Sequence, residues 1–311
     1  MLPYVFPGIT MPELPEVENT RRYLIQAGLP GSTFTGVSVG WANALKTPPL
    51  EDFVLGLLET KVQEVNRRGK YLLFPLDPGL DPGVKSGAGT GPGTSADTGA
   101  SRGAQPCAPT LILHLGMTGG LRVQPTDQAP HPMVRHTFSL YSDGEGDREL
   151  RFIDGRKFGK LWLTDNLEDV LPPLGPDPLS QDFTPDVLGR TLNHRTAPIK
   201  ALLLEQSIVA GMGNLYADES LFLSGINPMR PASGLSQDEL ERLRGCIVTA
   251  FSNSLEAYDA ARKAEWPDPP MGLHTWSIPR KDGDPCPRCS GPISGTRIRA
   301  RGTYFCPRCQ R

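Results

Sequence analysis

Met11-Pro12-Glu13-Leu14-Pro15-Glu16 opens the first predicted helix of the chain and begins at a second possible translation start. If translation begins at Met11 and the methionine is removed, Pro12 becomes a free secondary amine with Glu13 beside it. An α-amino group has a pKa of about 7.7 to 8, so roughly a tenth of it is the neutral nucleophile at pH 7. Such an amine can add to a carbonyl carbon and form an iminium ion, which favours elimination. The stretch therefore indicates Schiff-base chemistry.

A purely structural interpretation of the same stretch stays open. Pro15 suits the first position of a helix, Glu16 and Glu18 are favourable in its first turn, and Gly28 is a suitable end. With residues 1–10 in place, the Pro12 nitrogen is an amide and is not a nucleophile.

Composition predicts a cytoplasmic protein with more than one domain. Its 311 residues are 38% hydrophobic, which is enough for two domains. No apolar run reaches membrane-spanning length, and residues 1–10 lack the basic start of a signal peptide. The net charge is −2, yet residues 280–311 carry eight basic and two acidic side chains, and residues 165–186 carry six acidic ones. We expect a basic C-terminal module and a solvated acidic linker.

Four of the six cysteines form two CxxC pairs, Cys286 with Cys289 and Cys306 with Cys309, separated by sixteen residues. This spacing is typical of zinc held by the two knuckles of a β-hairpin. Four thiolates complete a tetrahedral site with no open position, which indicates one structural Zn²⁺. Disulfides and redox-active CxxC motifs are the alternatives.

The first half of the chain is β-rich and predicts a β-sandwich or barrel. Alternating or apolar runs predict strands at residues 34–41, 61–66, 70–76, 111–115, 121–123, 136–141, 150–153 and 160–163. Residues 67–69 would join two of these strands as a hairpin with a basic tip. Residues 77–110 are rich in Gly, Ala, Ser, Thr, Pro and Asp and predict a disordered insertion.

The second half has a helical period. Helices are predicted at residues 198–206 and 215–224, and a third begins where Ser236 and Glu239 make a capping box. Gly211 and Gly213 would let the backbone between the first two helices touch a phosphate.

Seven segments follow one another along nearly the whole chain: PELPEVE from Pro12, RRGKYLLF from Arg67, LILHLGMTG from Leu111, GRKFG from Gly155, LGPDPLS from Leu174, GMGNLYADE from Gly211 and RGTYFCPRCQR from Arg301. In this order they resemble the formamidopyrimidine-DNA glycosylases, bacterial base-excision enzymes that remove oxidised purines.

The resemblance implies an α+β multidomain fold: an N-terminal helix with a two-layer β-sandwich, a helix-two-turn-helix domain and a zinc β-hairpin. We assign residues 1–11 to an extension absent from the working protein and residues 12–163 to the catalytic sandwich. A linker (164–185), a DNA-binding helical domain (186–263), a possible lesion-capping loop (264–280) and the zinc hairpin (281–311) follow.

The resemblance also implies catalytic roles. Pro12 corresponds to the nucleophile that attacks C1′ of the damaged nucleotide, and Glu13 to the acid and base that moves protons. Lys70 corresponds to a hairpin lysine that contacts phosphate near the base, and Arg301 to an arginine of the zinc hairpin that grips phosphate. Each could also be an ordinary surface or helix-terminal residue.

DNA contacts follow from the same resemblance. Met117, Arg156 and Phe158 match a trio that fills the void left by a flipped base, with Arg156 facing the orphaned cytosine. Lys157 stands where a second arginine is expected. Phosphate contacts are expected from Lys200, from Asn214 with its neighbouring amides and, more weakly, from His114 and Tyr216.

We therefore predict a monomeric bacterial enzyme of the cytoplasm that acts on duplex DNA containing oxidised bases. It would excise 8-oxoguanine and formamidopyrimidines and cut the strand by β,δ-elimination. An endonuclease VIII-like enzyme for oxidised pyrimidines is one alternative. A catalytically silent damaged-DNA binder is the other, if Pro12 stays acylated.

Overall fold

The structure is a computed structural model that describes residues 12–77, 109–261 and 276–311. The predicted extension, most of the predicted insertion and residues 264–275 of the predicted capping loop lie outside these ranges. Within the ranges, no helix is both long enough and apolar enough to cross a bilayer.

Six α-helices are described. In chain order, α1 to α6 are Leu14–Gln26, Leu50–Leu57, Pro185–Leu192, Ile199–Leu203, Asn214–Ser224 and Gln237–Ala261. Twelve strands are described as well. In chain order, β1 to β12 are Thr33–Val39, Leu45–Thr47, Lys61–Val62, Asn66–Arg68, Tyr71–Asp77, Thr110–His114, Gly119–Pro125, Val134–Tyr141, Arg148–Asp154, Lys160–Thr164, Ser294–Ile298 and Arg301–Phe305.

Ten of the described strands form a β-sandwich, as predicted. Their order is β2-β10-β6-β5-β3-β1-β8-β9-β7, with β4 against β5. Strand β5 joins the two layers, because Tyr71 to Pro75 pair with β6 while its last two residues pair with β3. Alternate residues of each strand point inward, and Phe34, Phe74 and Phe138 meet in one core.

The predicted strand at residues 61–66 is in fact two short strands, β3 and β4. The hairpin turn also lies at residues 69–70 and not at the expected 67–69, since Arg68 pairs with Tyr71 and leaves Gly69 and Lys70 as the two turn residues. Gly69 has φ +56°, which suits the first position of such a turn. Lys70 therefore sits on a turn and not on a strand edge.

The two hairpin arginines do not form an exposed basic tip. Arg67 is paired with Glu18 at 3.0 Å and with Asp177 at 2.8 Å. Arg68 donates to the carbonyls of Leu174 and Gly175 at 3.1 and 2.8 Å. The acidic linker is thus not wholly solvated, because Asp177 ties it to the sandwich.

A second core fills the helical part of the chain and includes Leu14, the first residue of α1. The capping box of α6 is confirmed, with the Ser236 amide donating to Glu239 at 2.9 Å and the Glu239 amide donating to Ser236 Oγ at 3.3 Å. The predicted helix at 198–206 is shorter and ends at Leu203. Helices α2 and α3 were not predicted, although Thr184 caps α3 and Pro185 follows it.

We expect the free energy of unfolding to fall as the pH drops from about 4.5 towards 2. Burial alone would raise the pKa of Glu18, but hydrogen bonds and charges from Arg21 and Arg67 lower it to about 2. A lowered carboxyl pKa stabilises the folded state above the unfolded pKa of 4.5, and this contribution is lost as the pH falls through the folded pKa. The loss should be about 1 to 3 kcal/mol, because Arg21 is partly exposed.

Urea titrations at a series of pH values test this expectation. Glu18→Gln should flatten the acid limb, whereas Glu51→Gln, which changes an exposed carboxylate on α2, should keep it. An acid limb that is identical in Glu18→Gln and the wild type would contradict the assignment.

Candidate active site

Pro12 lines a cavity of about 410 Å³ in which the three parts of the chain meet. The sandwich contributes Lys70 and His114, the start of α5 contributes Asn214, and the zinc hairpin contributes Arg301. Tyr71, Gln206 and Arg299 also line it and were not predicted as site residues.

The start of α5 holds the carboxylate of Glu13. Oε1 of Glu13 accepts the amide of Leu215 at 3.0 Å, and Oε2 accepts the amide of Tyr216 at 3.4 Å. A helix N-terminus favours an anion there through its free amides and dipole. The amides predicted to grip a phosphate are therefore already occupied by Glu13.

The glycines before α5 make room for Glu13 and Leu14, a role that the sequence did not predict. A Cβ on Gly213 would lie 2.2 Å from Cδ of Glu13. Gly211 has φ +80°, and a Cβ there would lie 2.5 Å from Cβ of Leu14. The amide of Leu14 also donates to the carbonyl of Gly211 at 3.1 Å.

Glu13 is almost fully buried, and burial raises its pKa. The charge of Lys70, the two α5 amides and Arg280 act in the opposite direction. A buried carboxyl whose pKa is raised holds a proton more readily than a solvated one, so it can release a proton as well as accept one. This is the property that a proton carrier beside Pro12 requires.

Glu16 lies directly behind Glu13 and was not predicted as part of the site. Its Oε2 accepts the amide of Glu13 at 2.8 Å, and its Oε1 accepts the hydroxyls of Tyr216 and Tyr258 at 2.8 and 3.1 Å. Burial, followed by the charge of Glu13, raises the pKa of Glu16 to about 7. The hydroxyl of Tyr216 is thus buried on Glu16, so the predicted phosphate contact is wrong for this side chain.

Lys70 is half-buried at the hairpin turn, and burial lowers its pKa. The charges of Glu13 and Glu16 oppose this shift, and Arg301 adds to it. A larger fraction of the Lys70 amine is therefore neutral than in a solvated lysine. Lys70 is therefore a second amine in the cavity, and chemical tests must show whether Lys70 or Pro12 is the one that reacts.

His114 is neutral at pH 7. Burial, followed by the charges of Lys70 and Lys160, lowers its pKa to about 4. Its Nδ1 accepts the amide of Gly116 at 3.1 Å, so the ring proton lies on Nε2. His114 can donate one hydrogen bond into the cavity but brings no positive charge.

Asn214 is the first residue of α5, and Gly213 takes the N-cap position. Among the described residues, Oδ1 of Asn214 has no hydrogen-bond partner. Asn214 also lines the cavity, and its side-chain NH2 group is the part that could donate to a phosphate there.

Lys200 is fully buried, which contradicts the expected direct phosphate contact. Its Nζ pairs with Asp218 at 2.6 Å and donates to Thr303 Oγ1 at 2.7 Å and to the carbonyl of Gly302 at 3.0 Å. These bonds hold the first residues of β12 against α5. Lys200 thus fixes the strand that begins with Arg301.

Arg301 is exposed and follows a tight turn in which Arg299 and Ala300 have φ values of +48° and +59°. Two successive positive φ angles are typical of a two-residue hairpin turn. Arg299 is paired with Glu205 at the mouth of the cavity. The basic composition of residues 280–311 was the one sequence signal that included Arg299.

Gln206 holds the loop before α5 in place. Its Oε1 accepts the amide of Gly211 at 2.9 Å, and its Nε2 donates to the carbonyl of Met212 at 2.8 Å. No local pattern in the sequence indicated this role.

The 116–118 loop, whose Gly116 lines the cavity, lies side by side with the 155–159 loop. Oδ1 of Asp154 accepts Thr118 Oγ1 at 2.6 Å and the amide of Arg156 at 3.1 Å, and Oδ2 accepts the amide of Gly159 at 2.7 Å. A Cβ on Gly116 would lie 2.5 Å from the backbone of Phe158. The structure therefore brings together the backbones that carry Met117, Arg156 and Phe158.

Side chains of the 155–159 loop project from the surface. Phe158 is 48% exposed, and the guanidinium of Arg156 lies 5.1 Å from the centre of its ring. Lys157 has φ +60°, and its Nζ lies 4.2 Å from the ring centre of Trp41. An exposed aromatic ring with a stacked arginine suits insertion into a base stack.

The four predicted zinc ligands cluster at the knuckles of the β11–β12 hairpin. All four Sγ atoms lie within 4.8 Å of one another, with Cys286 to Cys309 at 3.9 Å and Cys289 to Cys306 at 3.5 Å. Tetrahedral zinc with Zn–S bonds of about 2.3 Å places sulfurs about 3.8 Å apart. The four thiolates therefore fit one zinc ion with no open position.

We expect one zinc ion per chain. Cys306→Ser should lose the metal, because the fourth thiolate is part of a closed site whose binding energy folds its own module. Cys246→Ser is the matched control, since Cys246 lies on α6 outside the cluster. Metal analysis and limited proteolysis are the measurements: in Cys306→Ser, cleavage should begin beyond residue 280 while the sandwich stays resistant. Full zinc content in Cys306→Ser would refute the site.

Family models match three successive parts of the chain. Residues 11–161 match the formamidopyrimidine-DNA glycosylase N-terminal domain, residues 174–264 match its H2TH domain, and residues 283–311 match a zinc finger found in FPG and IleRS. The cysteine cluster and the third match together show a structural zinc site.

Similar proteins cover nearly the whole chain. The formamidopyrimidine-DNA glycosylase of a Synechococcus species is 38% identical over 96% of this chain and 99% of its own length. That of Herpetosiphon aurantiacus is 36% identical over 96% and 100%. The crystal structure of MutM (Fpg) from Thermus thermophilus has a TM-score of 0.73 at 32% identity, covering 96% of this chain and 98% of that chain.

A structure of Lactococcus lactis Fpg with DNA containing N7-benzyl-Fapy-dG has a TM-score of 0.76 at 28% identity, covering 96% of this chain and 100% of that chain. This chain thus agrees with these proteins in sequence, domain order and fold over the sandwich, the helical domain and the zinc hairpin. The chain therefore belongs to the formamidopyrimidine-DNA glycosylase family, a family of DNA glycosylases that act on damaged DNA.

Proposed function

We propose that this protein is a bifunctional DNA glycosylase and AP lyase that excises oxidised purines from duplex DNA through a Schiff base at Pro12. The observation that carries the proposal is the position of Pro12. It lines the cavity together with Lys70, Asn214 and Arg301, and the carboxyl group of the adjacent Glu13 is anchored on α5.

In the proposed reaction the neutral Pro12 nitrogen forms a bond to C1′ while the glycosidic bond breaks. The base leaves with the bonding electron pair and takes up a proton, while the Pro12 nitrogen, now bonded to C1′, gives up its N–H proton. The C1′–O4′ bond then opens, O4′ receives a proton from Glu13, and an iminium ion remains between the nitrogen and C1′. Loss of a C2′ proton expels the 3′ phosphate, and a second elimination expels the 5′ phosphate. Water finally hydrolyses the iminium and restores the amine.

The DNA contacts in this proposal use the cavity and its rim. Arg301, Lys70 and the side-chain amide of Asn214 would hold phosphates around the damaged nucleotide. Phe158 and Met117 would fill the gap left by the flipped base, with Arg156 facing the orphaned cytosine. Lys200 contributes indirectly, because it supports the strand of Arg301.

Borohydride should trap a covalent complex between the protein that starts at Met11 and DNA carrying 8-oxoguanine opposite cytosine, because an iminium ion is reducible. The protein that starts at Met1 should not be trapped, since its Pro12 nitrogen is an amide. The measurement is the yield of cross-linked protein on a denaturing gel, together with the intact mass of each protein.

Two substitutions distinguish the amines of the cavity. Lys70→Met should still be trapped at a preformed abasic site, whereas Pro12→Gly should trap and cleave poorly. A Pro12→Gly protein that traps like the wild type would reject Pro12 as the nucleophile. If the Met11-start protein binds damaged DNA but is never trapped, the silent-binder alternative is correct.

Glu13→Gln should slow base excision by about 100-fold or more, because an amide cannot carry a proton. It should still be trapped at a preformed abasic site, where base loss is no longer needed. Gly213→Ala should behave similarly, since its Cβ would displace the Glu13 carboxyl group. Gly234→Ala is the control, with nothing within 4 Å of its Cβ. The measurement is the single-turnover rate of base excision. A Glu13→Gln enzyme that excises the base as fast as the wild type would disprove the proton-carrying role of Glu13.

Oxidised pyrimidines are the second candidate substrates. A solved structure of the Lactococcus lactis Fpg, 28% identical to this chain, contains DNA with an oxidised pyrimidine. Comparison of excision rates for 8-oxoguanine opposite cytosine and for an oxidised pyrimidine opposite its partner decides between the two. A faster rate on the pyrimidine would overturn the proposed purine preference.

A further inference from the structure

We propose that Trp41 is a positioning residue for the 155–159 loop: its indole ring holds Lys157 and thereby sets Arg156 and Phe158 for insertion into DNA. This inference rests on the proposed function, because it assigns the loop a role in base excision. It also changes the role of Lys157, for which the sequence predicted a direct DNA contact.

The backbone of the loop needs such a support. Lys157 has φ +60°, a conformation that residues other than glycine rarely adopt. Strained backbone persists at functional sites only when surrounding contacts hold it in place. The Nζ of Lys157 lies 4.2 Å from the ring centre of Trp41, within the range of a cation–π contact.

Trp41 is itself held in place by the sandwich. It is partly buried and packs against the core of the sandwich. The amide of the preceding Gly40 donates to the carbonyl of Arg135 at 2.7 Å, and Nε of Arg135 donates to the carbonyl of Asp154 at 2.9 Å. The residue before Trp41 and the residue before the loop are therefore tied to the same residue of β8.

The loop is then held at three points. Asp154 binds the amides of Arg156 and Gly159 near its two ends. Trp41 binds the side chain of Lys157 in its middle. Lys157 lies on Trp41 while remaining exposed, and the stacked pair of Arg156 and Phe158 is exposed beside it. Pre-ordering the pair reduces the entropy lost when it enters a base stack.

The experiment compares Lys157→Met, Lys157→Arg, Trp41→Leu and the double variant Lys157→Met/Trp41→Leu. It measures single-turnover excision and the salt dependence of duplex binding. We expect Lys157→Met and Trp41→Leu each to slow excision about two- to fivefold, the worth of one exposed cation–π contact. The double variant should be no slower than the slower single variant, and Lys157→Arg should stay near the wild-type rate.

The slope of log affinity against log salt separates this role from a direct phosphate contact. We expect the wild-type slope in all variants. A slope reduced by about one in Lys157→Met alone would mean that Lys157 neutralises a phosphate, and would overturn the proposal. Multiplicative losses in the double variant would overturn it as well.

Lys157→Gly removes the contact with Trp41 without imposing strain, because glycine adopts φ +60° freely, and it leaves the loop free to take other conformations. We expect it to be as slow as Lys157→Met, and a wild-type rate would refute the positioning role. Since Lys157 is exposed, its variants should fold even if Trp41→Leu proves unstable.

A readout without catalysis separates failure of the inference from failure of the proposed function. Lys157→Met should change the tryptophan emission of the free protein, because a cation leaves the ring face of Trp41. The same substitution in a Trp41→Phe background should change nothing, although three other tryptophans remain. Absence of base excision by the wild type would reject the proposed function, whereas an unchanged emission would reject the contact.

Discussion

The anchoring of the Glu13 carboxylate on the first amides of α5 is the interaction on which the site depends. It joins the first residues of the sandwich domain to the helical domain and places Pro12 at the cavity. The same contact explains why Gly213 has no side chain, because any Cβ would overlap with Glu13. Glu16 completes the arrangement from behind by accepting the Glu13 amide.

Buried ion pairs fix the sandwich, the helical domain and the zinc hairpin relative to one another around Glu13. Arg67 joins Glu18 of α1 to Asp177 of the linker, and Lys200 joins Asp218 of α5 to the start of β12. Desolvation makes such pairs a weak source of stability, but removal of one partner leaves a buried charge without compensation. Their value here is geometric, since they fix where Lys70 and Arg301 lie relative to Pro12.

The surface that would enter DNA is organised differently from the cavity. Asp154 ties the 116–118 and 155–159 loops together through side-chain and backbone hydrogen bonds, and the sandwich core supports Trp41 next to them. Exposed side chains are therefore carried on a rigid framework. The zinc hairpin likewise carries exposed side chains on an ordered framework, because its metal site orders a short segment that has only a small core.

Much of the fold could be predicted from the sequence, because it depends on local pattern. Hydrophobic alternation located the sandwich strands, Ser236 and Glu239 located the start of α6, and cysteine spacing located the zinc site. The predicted phosphate contacts of Lys200 and of the Tyr216 side chain were wrong because partners distant in sequence decide where a side chain points. Asp218 lies beside Lys200 and Glu13 occupies the α5 amides only after the domains have packed. The sequence alone determined the chemical groups that are present, and the tertiary structure decided which of them face the cavity, because burial and long-range pairing set each group's partners and charge.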